Sequence, residues 1–154
     1  MTNNFIEIET PKTHKLREYL ETLSGTIRTG EVFWEFETRL FEYDGSFRDV
    51  KDVIRFAYPE AKVDLAEIRE GSPDDLRITL ESELGRFLPH LISTYIEGVW
   101  ALLKNCIDYE DARIFEYFTR EHIDLVGGIA GSFAIIICSV NLHRCLFLIG
   151  STDA

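Results

Sequence analysis

The 154-residue chain carries 27 Asp and Glu against 16 Lys and Arg, a net charge of −11 at neutral pH. That surplus excludes a binder of bare nucleic acid: phosphates would repel it, and its basic residues are dispersed rather than clustered. A hydrophobic content of 45% and an aromatic content of 12% exclude bulk disorder, and the length suits one domain, residues 1–154, with a sizeable core.

The opening MTNNFIEIET has no basic stretch followed by an apolar run, so it does not read as a secretory signal. Residues 5–8 predict a short strand. Pro11 opens a helical pattern with Leu16, Tyr19, Leu20 and Leu23 at spacings of three and four, ending near Ser24-Gly25. Residues 31–43 alternate. Val32, Trp34, Phe36, Thr38 and Leu40 fall on one face, and Glu31, Phe33, Glu35, Glu37, Arg39 and Phe41 on the other. Ser46 is the expected N-cap of a helix carrying Phe47, Val50, Val53, Ile54 and Ala57, which Tyr58-Pro59 stops.

Residues 61–82 alternate on either side of Glu70–Asp75, which predicts a β-hairpin with a polar tip. A broad apolar stripe predicts a largely buried helix from about Pro89 to Cys106. Ala112, Phe115 and Phe118 predict a second helix over 109–122, its start favoured by Asp108, Glu110 and Asp111 through the helix dipole. Leu125–Leu142 is eighteen residues without a formal charge, which raises a membrane span. Its glycines and its short β-branched run, Phe133–Val140, favour a buried strand instead. Closing strands at 132–140 and 144–149 would meet through Asn141-Leu142-His143. The fold expected is α+β, with a mainly antiparallel sheet of about five to six strands and about four helices.

No catalytic signature is present. His14, His90, His122 and His143 form no HExxH and no zinc-finger spacing, and the His122-Ile123-Asp124 stretch with Glu116 and Glu121 reads as a surface helix end. GxSxG, P-loop and GxGxxG patterns are absent, and the glycine-rich 127–131 lacks the Lys-Ser/Thr of a phosphate loop. The three cysteines, Cys106, Cys138 and Cys145, are odd in number and lack metal spacing, so they read as buried free thiols of a reducing, cytoplasmic setting. Cys138 and Cys145 can face each other on paired strands, which leaves a bridge open. No metal, cofactor or catalytic residue is expected.

Two acidic surfaces are candidates for partner binding. On the 31–43 strand, Phe33 and Phe41 flank Glu35 and Glu37, the mixture of aromatic anchors and polar rim found at protein interfaces. At the expected hairpin tip, Glu67, Glu70, Asp74 and Asp75 would form an acidic finger suited to a Lys/Arg-rich cleft. The leading expectation is a non-enzymatic acidic inhibitor that neutralises a basic protein partner, with neither nucleic acid nor membrane as a partner. A small, acidic α+β chain without catalytic motifs resembles, in general build and without any shared motif, the toxin-immunity proteins of bacteria. That resemblance implies a toxin as partner, a nuclease best of all, because carboxylates mimic phosphate charge. The alternative is a small enzyme or ligand-binding domain with a pocket between the 89–106 helix and the sheet, lined by Trp34, His90, Tyr95 and Trp100 around Glu97. A homo-oligomer paired through an exposed edge strand at 144–149 is a third expectation.

Overall fold

The structure, a computed structural model, describes residues 5–26, 34–44, 49–59, 67–84, 92–108, 110–118 and 133–152. Its elements run β1 (Phe5–Ile8), α1 (Pro11–Thr26), β2 (Trp34–Tyr43), α2 (Val50–Ala57), β3 (Glu67–Gly71), α3 (Pro73–Leu84), α4 (Ile92–Cys106), β4 (Ala112–Phe118), β5 (Phe133–Ser139) and β6 (Arg144–Thr152). The six strands form one sheet in the order β1-β2-β6-β5-β4-β3. Every neighbouring pair is antiparallel. The fold is α+β, as the sequence predicts.

Both faces of the sheet are covered, which explains why β5 and β6 read as continuous apolar runs rather than clean alternations. Ile135, Ile137, Leu146 and Leu148 point into a core shared with Leu16, Leu20 and Leu23 of α1 and Ile96, Val99 and Leu103 of α4. Their neighbours in sequence, Ile136, Cys138, Cys145, Phe147 and Ile149, point the other way and pack with Val50, Val53, Ile54 and Ala57 of α2. On the first face, α1 and α4 approach closely: a Cβ on Gly98 would overlap the Tyr19 hydroxyl oxygen.

Helix starts follow local chemistry. Thr10 caps α1: its Oγ1 accepts from the Thr13 amide at 3.1 Å, and the Thr13 Oγ1 accepts from the Thr10 amide at 2.9 Å. Pro11 sits at the first helical position, where its missing N–H costs nothing. Asp49 caps α2, its Oδ1 accepting from the Lys51 amide at 2.9 Å, so the cap is Asp49 and not the expected Ser46. Tyr58 closes α2 before Pro59, donating its amide to the Ile54 carbonyl at 2.8 Å.

Three expectations are corrected. The 61–82 hairpin is instead the strand β3 followed by the helix α3; residues 61–66 lie outside the described residues. The helix placed over 109–122 is the strand β4 through Phe118, because Ile114 and Phe115 each face a different core. The 144–149 segment is not an edge: β6 pairs with β2 on one side and β5 on the other, so it offers no free ladder to a second chain. Among the described residues no helix is long and apolar enough to cross a membrane. The part of Leu125–Leu142 that precedes Phe133 lies outside them.

Candidate partner-binding surface

The eight residues proposed from sequence do not come together. Those on β2 and those around β3 are separated by three intervening strands, a distance of roughly 19 Å at ordinary strand spacing.

The β2 group is mostly structural. Phe41 is fully buried, packing edge-on against Phe147 (ring centroids 5.5 Å apart) and Phe56 (5.9 Å). It was expected as an exposed anchor, but α2 crosses that face of the sheet and covers it. Just past the end of α2, Arg39 makes a two-pronged contact with Glu7 on β1, Nε to Oε2 at 2.9 Å and Nη2 to Oε1 at 2.7 Å. Its Nη1 donates to the Ala57 carbonyl at 2.8 Å, one of the acceptors left open at the end of α2. The guanidinium also stacks over Phe41 at 5.0 Å and Tyr58 at 4.9 Å. The Arg39 hydrogen bonds hold the Glu7 carboxyl below the usual carboxylate range. Glu37 is exposed but accepts the Tyr58 hydroxyl proton at 2.5 Å. Burial first, and then this bond, pushes the Tyr58 phenol upward. Phe33 lies outside the described residues. Glu35 is in register with Ser151, and its side chain also lies outside them.

The β3 group divides between the two faces of the sheet: Glu70 points to the α2 side, in register with Phe115, whereas Asp74 and Asp75 lie on α3, which is tied to α4 on the other side. Ser72-Pro73-Asp74-Asp75 is a helix start: Ser72 is the N-cap, and Asp75 three residues later closes a capping box. The Asp75 Oδ2 accepts the Ser72 amide at 2.8 Å, and the Ser72 Oγ accepts the Asp75 amide at 3.3 Å. The Ser72 backbone bond, with the hydroxyl bond after it, holds the Asp75 carboxyl down. Asp74, Ile78 and Ser82 are exposed and four residues apart, so they share one side of α3. Ile78 is 63% exposed, the aliphatic centre of a charged surrounding. Arg77 bridges Glu81 (Nε to Oε1, 3.1 Å) and Glu97 of α4. Arg113 holds Glu70 at 2.7 Å and keeps that carboxyl low. Four carboxylates on and beside α3 (Asp74, Asp75, Glu81, Glu97) stand against two arginines (Arg69, Arg77), which leaves a negative surplus. Glu67 is in register with Phe118, and its side chain lies outside the described residues.

Of the α3 surface, sequence reasoning found Asp74 and Asp75 but missed Ile78, Glu81 and Glu97. The signal was present: a Ser-Pro-x-Asp start implies a helix, and a helix puts Ile78 one turn beyond Asp74.

The alternative pocket along α4 is filled where the structure describes it. Tyr95 and Trp100 pack against the core, and the Tyr19 hydroxyl donates to the Tyr95 carbonyl at 3.4 Å. Glu97 is exposed and ion-paired rather than aimed inward. His90 and the Trp34 side chain lie outside the described residues. A groove of about 450 Å³ does open at the C-terminal end of α4, where Lys12, Lys104 and Arg144 line it beside Asp108 and Leu142. Among the described residues no group of three or more His, Cys, Asp or Glu is arranged to hold a metal.

No protein-family model matches the chain, and no curated protein matches it. The structure is similar to citrus MAF1 in two crystal forms. One match has a TM-score of 0.66 at 13% identity, covering 87% of this chain and 98% of that one. The other has a TM-score of 0.64 at 12% identity, covering 90% and 97%. At that identity the likeness shows a shared fold and nothing about activity.

Proposed function

We propose that this protein is a non-enzymatic acidic binding module that captures and neutralises a basic protein partner, and that α3 is the face it presents. The observation that carries the reading is the exposed Ile78 set among Asp74, Asp75 and Glu81. An aliphatic anchor inside a charged rim is how a protein surface combines affinity with electrostatic steering. The capping box of α3 and the bridge from Arg77 to α4 pre-order that surface, which lowers the entropy lost on binding. A cationic enzyme cleft, such as that of a toxin nuclease in the cytoplasm, fits the net charge of −11.

The test is affinity capture followed by a binding curve at low and at physiological salt. We expect a partner of high isoelectric point, an association rate that falls steeply with salt, and at least tenfold weaker binding for Asp74→Lys combined with Ile78→Ser. Both positions are exposed, so circular dichroism should show an unchanged fold. Unaltered binding by this variant, or a complex indifferent to salt, overturns the assignment. The groove lined by Lys12, Lys104 and Arg144 favours a second reading, a site for a small anionic ligand. Saturable binding of citrate or inorganic phosphate that Lys12→Glu abolishes would establish it.

A further inference from the structure

Cys138 and Cys145 are Cα partners in the antiparallel register of β5 and β6. Both are fully buried and free, and their sulfurs are 2.9 Å apart. A disulfide bond is roughly 2.05 Å long, so less than an ångström of side-chain adjustment separates the two thiols from a covalent bridge. We propose that this pair is a reversible disulfide site, oxidised by low-molecular-weight disulfides, that staples the two innermost strands of the sheet.

The pairing is specific. Cys106, at the end of α4, belongs to the core on the opposite side of the sheet and cannot reach either sulfur without unfolding. The ring that the bridge would close is already held in shape. The His143 amide donates to the Val140 carbonyl at 3.4 Å, the Leu142 amide to the Ser139 Oγ at 3.3 Å, and the Asn141 amide to the Asp111 carboxylate. His143 adopts a left-handed φ of 53°, which turns the chain back into register. The native fold therefore supplies the geometry in advance, and an unfolded chain must find it.

The chemistry balances with a small disulfide as oxidant. One cysteine thiolate attacks a sulfur of oxidised glutathione, forming a mixed disulfide and expelling one glutathione thiolate. The second cysteine thiolate then attacks the protein sulfur of that mixed disulfide, forming the Cys138–Cys145 bond and expelling the second glutathione. Two electrons pass to glutathione, and two thiol protons are released and taken up by the two leaving thiolates. Burial holds the Cys138 thiol well above its ordinary range, so the attacking thiolate is scarce in the closed protein. Exchange must then proceed through opening of the hairpin or during folding, which makes it slow but does not alter where it comes to rest.

The experiment equilibrates the full chain in glutathione buffers of graded ratio, folded and in urea, with acid quenching and denaturing alkylation. In folded protein we expect the label count to fall from three to one, Cys106 retaining the remaining label. Unreduced tryptic digestion, which cuts after Arg144 between the two cysteines, should leave the two peptides linked. The equilibrium constant for bridge formation should be at least tenfold larger in the folded chain than in urea, and the oxidised protein should melt higher than the reduced one. Because the linked peptides are read on the unmutated chain, the test does not depend on a cysteine variant folding. Three labels at every ratio after refolding in the buffer, an equilibrium constant no larger than in urea, or a link involving Cys106 would each overturn the proposal. None of these readouts involves the binding partner, so the outcome is independent of the role assigned to α3.

Discussion

Replacing Arg39 with Ala tests whether the acidic face of β2 is a structural network or a free docking surface. Arg39 makes three kinds of contact, each with a separable magnitude. Its bond to the Ala57 carbonyl is charge-assisted at 2.8 Å, and such bonds contribute about 1.5 kcal/mol at the low end of their range. The ion pair with Glu7 has side-chain exposures of 25% and 44%, so solvent screening limits it to about 1 kcal/mol or less. Stacking over Phe41 and Tyr58 adds roughly 0.5 kcal/mol if the two rings are treated as one site. Together these predict a loss of about 3 kcal/mol for Arg39→Ala. For a chain of this length that corresponds to a fall in melting temperature of roughly 6–12 °C. Glu7→Gln, which removes only the ion pair, should cost about 1 kcal/mol or less. Arg39→Lys keeps the charge but loses the fork and the stacking plane, and should fall between the two. Urea unfolding followed by tryptophan fluorescence and circular dichroism gives all three values. If Arg39→Ala unfolds within about 0.5 kcal/mol of the parent, the contacts contribute little, and β2 becomes a partner surface again.

Other outcomes follow from the same contacts. Phe147 is fully buried between Phe41 and Tyr58, so Phe147→Ala should cost about 3–5 kcal/mol in the same unfolding assay, with an unchanged partner surface. Ser72→Ala removes the cap of α3 and should cost about 1 kcal/mol, with hydrogen exchange accelerated in the first turn of that helix. Glu7, Glu9 and Glu70, each bonded to an arginine, have folded-state carboxyls below their ordinary 4.5. Their contribution is complete above that value and disappears as pH falls through the lower folded values, so the melting temperature should start to drop below about pH 4.5. At the alkaline end, burial raises the Tyr43 phenol from 10.0 to about 12. That contribution is whole below pH 10 and is lost as pH rises toward 12, so Tyr43→Phe should flatten the alkaline limb of a stability profile.

Local chemistry made much of the fold legible. Pro11 after Thr10 and the three-and-four spacing of Leu16, Leu20 and Leu23 announce α1, because capping and one-sided burial act within a few residues. The runs around Ile135–Ile137 and Leu146–Ile149 announce strands buried on both faces. Their cysteines could be placed opposite each other from the short turn alone. The 73–84 segment misled because Leu76, Ile78 and Leu80 alternate at strand period, while Ser72 and Asp75 specify a helix start that overrides the alternation. In β4, Ala112, Phe115 and Phe118 also fit a helical stripe, and only a place between β3 and β5 makes that stretch extended.

The sequence by itself determined the acidic surplus, the Pro11 start of α1 and the apolar runs, because these depend on residue identity over short distances. The tertiary structure alone decided that β6 lies inside the sheet, that α2 buries Phe41, and that Arg77 ties α3 to α4. Those facts depend on which elements meet across long stretches of chain, and no local pattern encodes that choice.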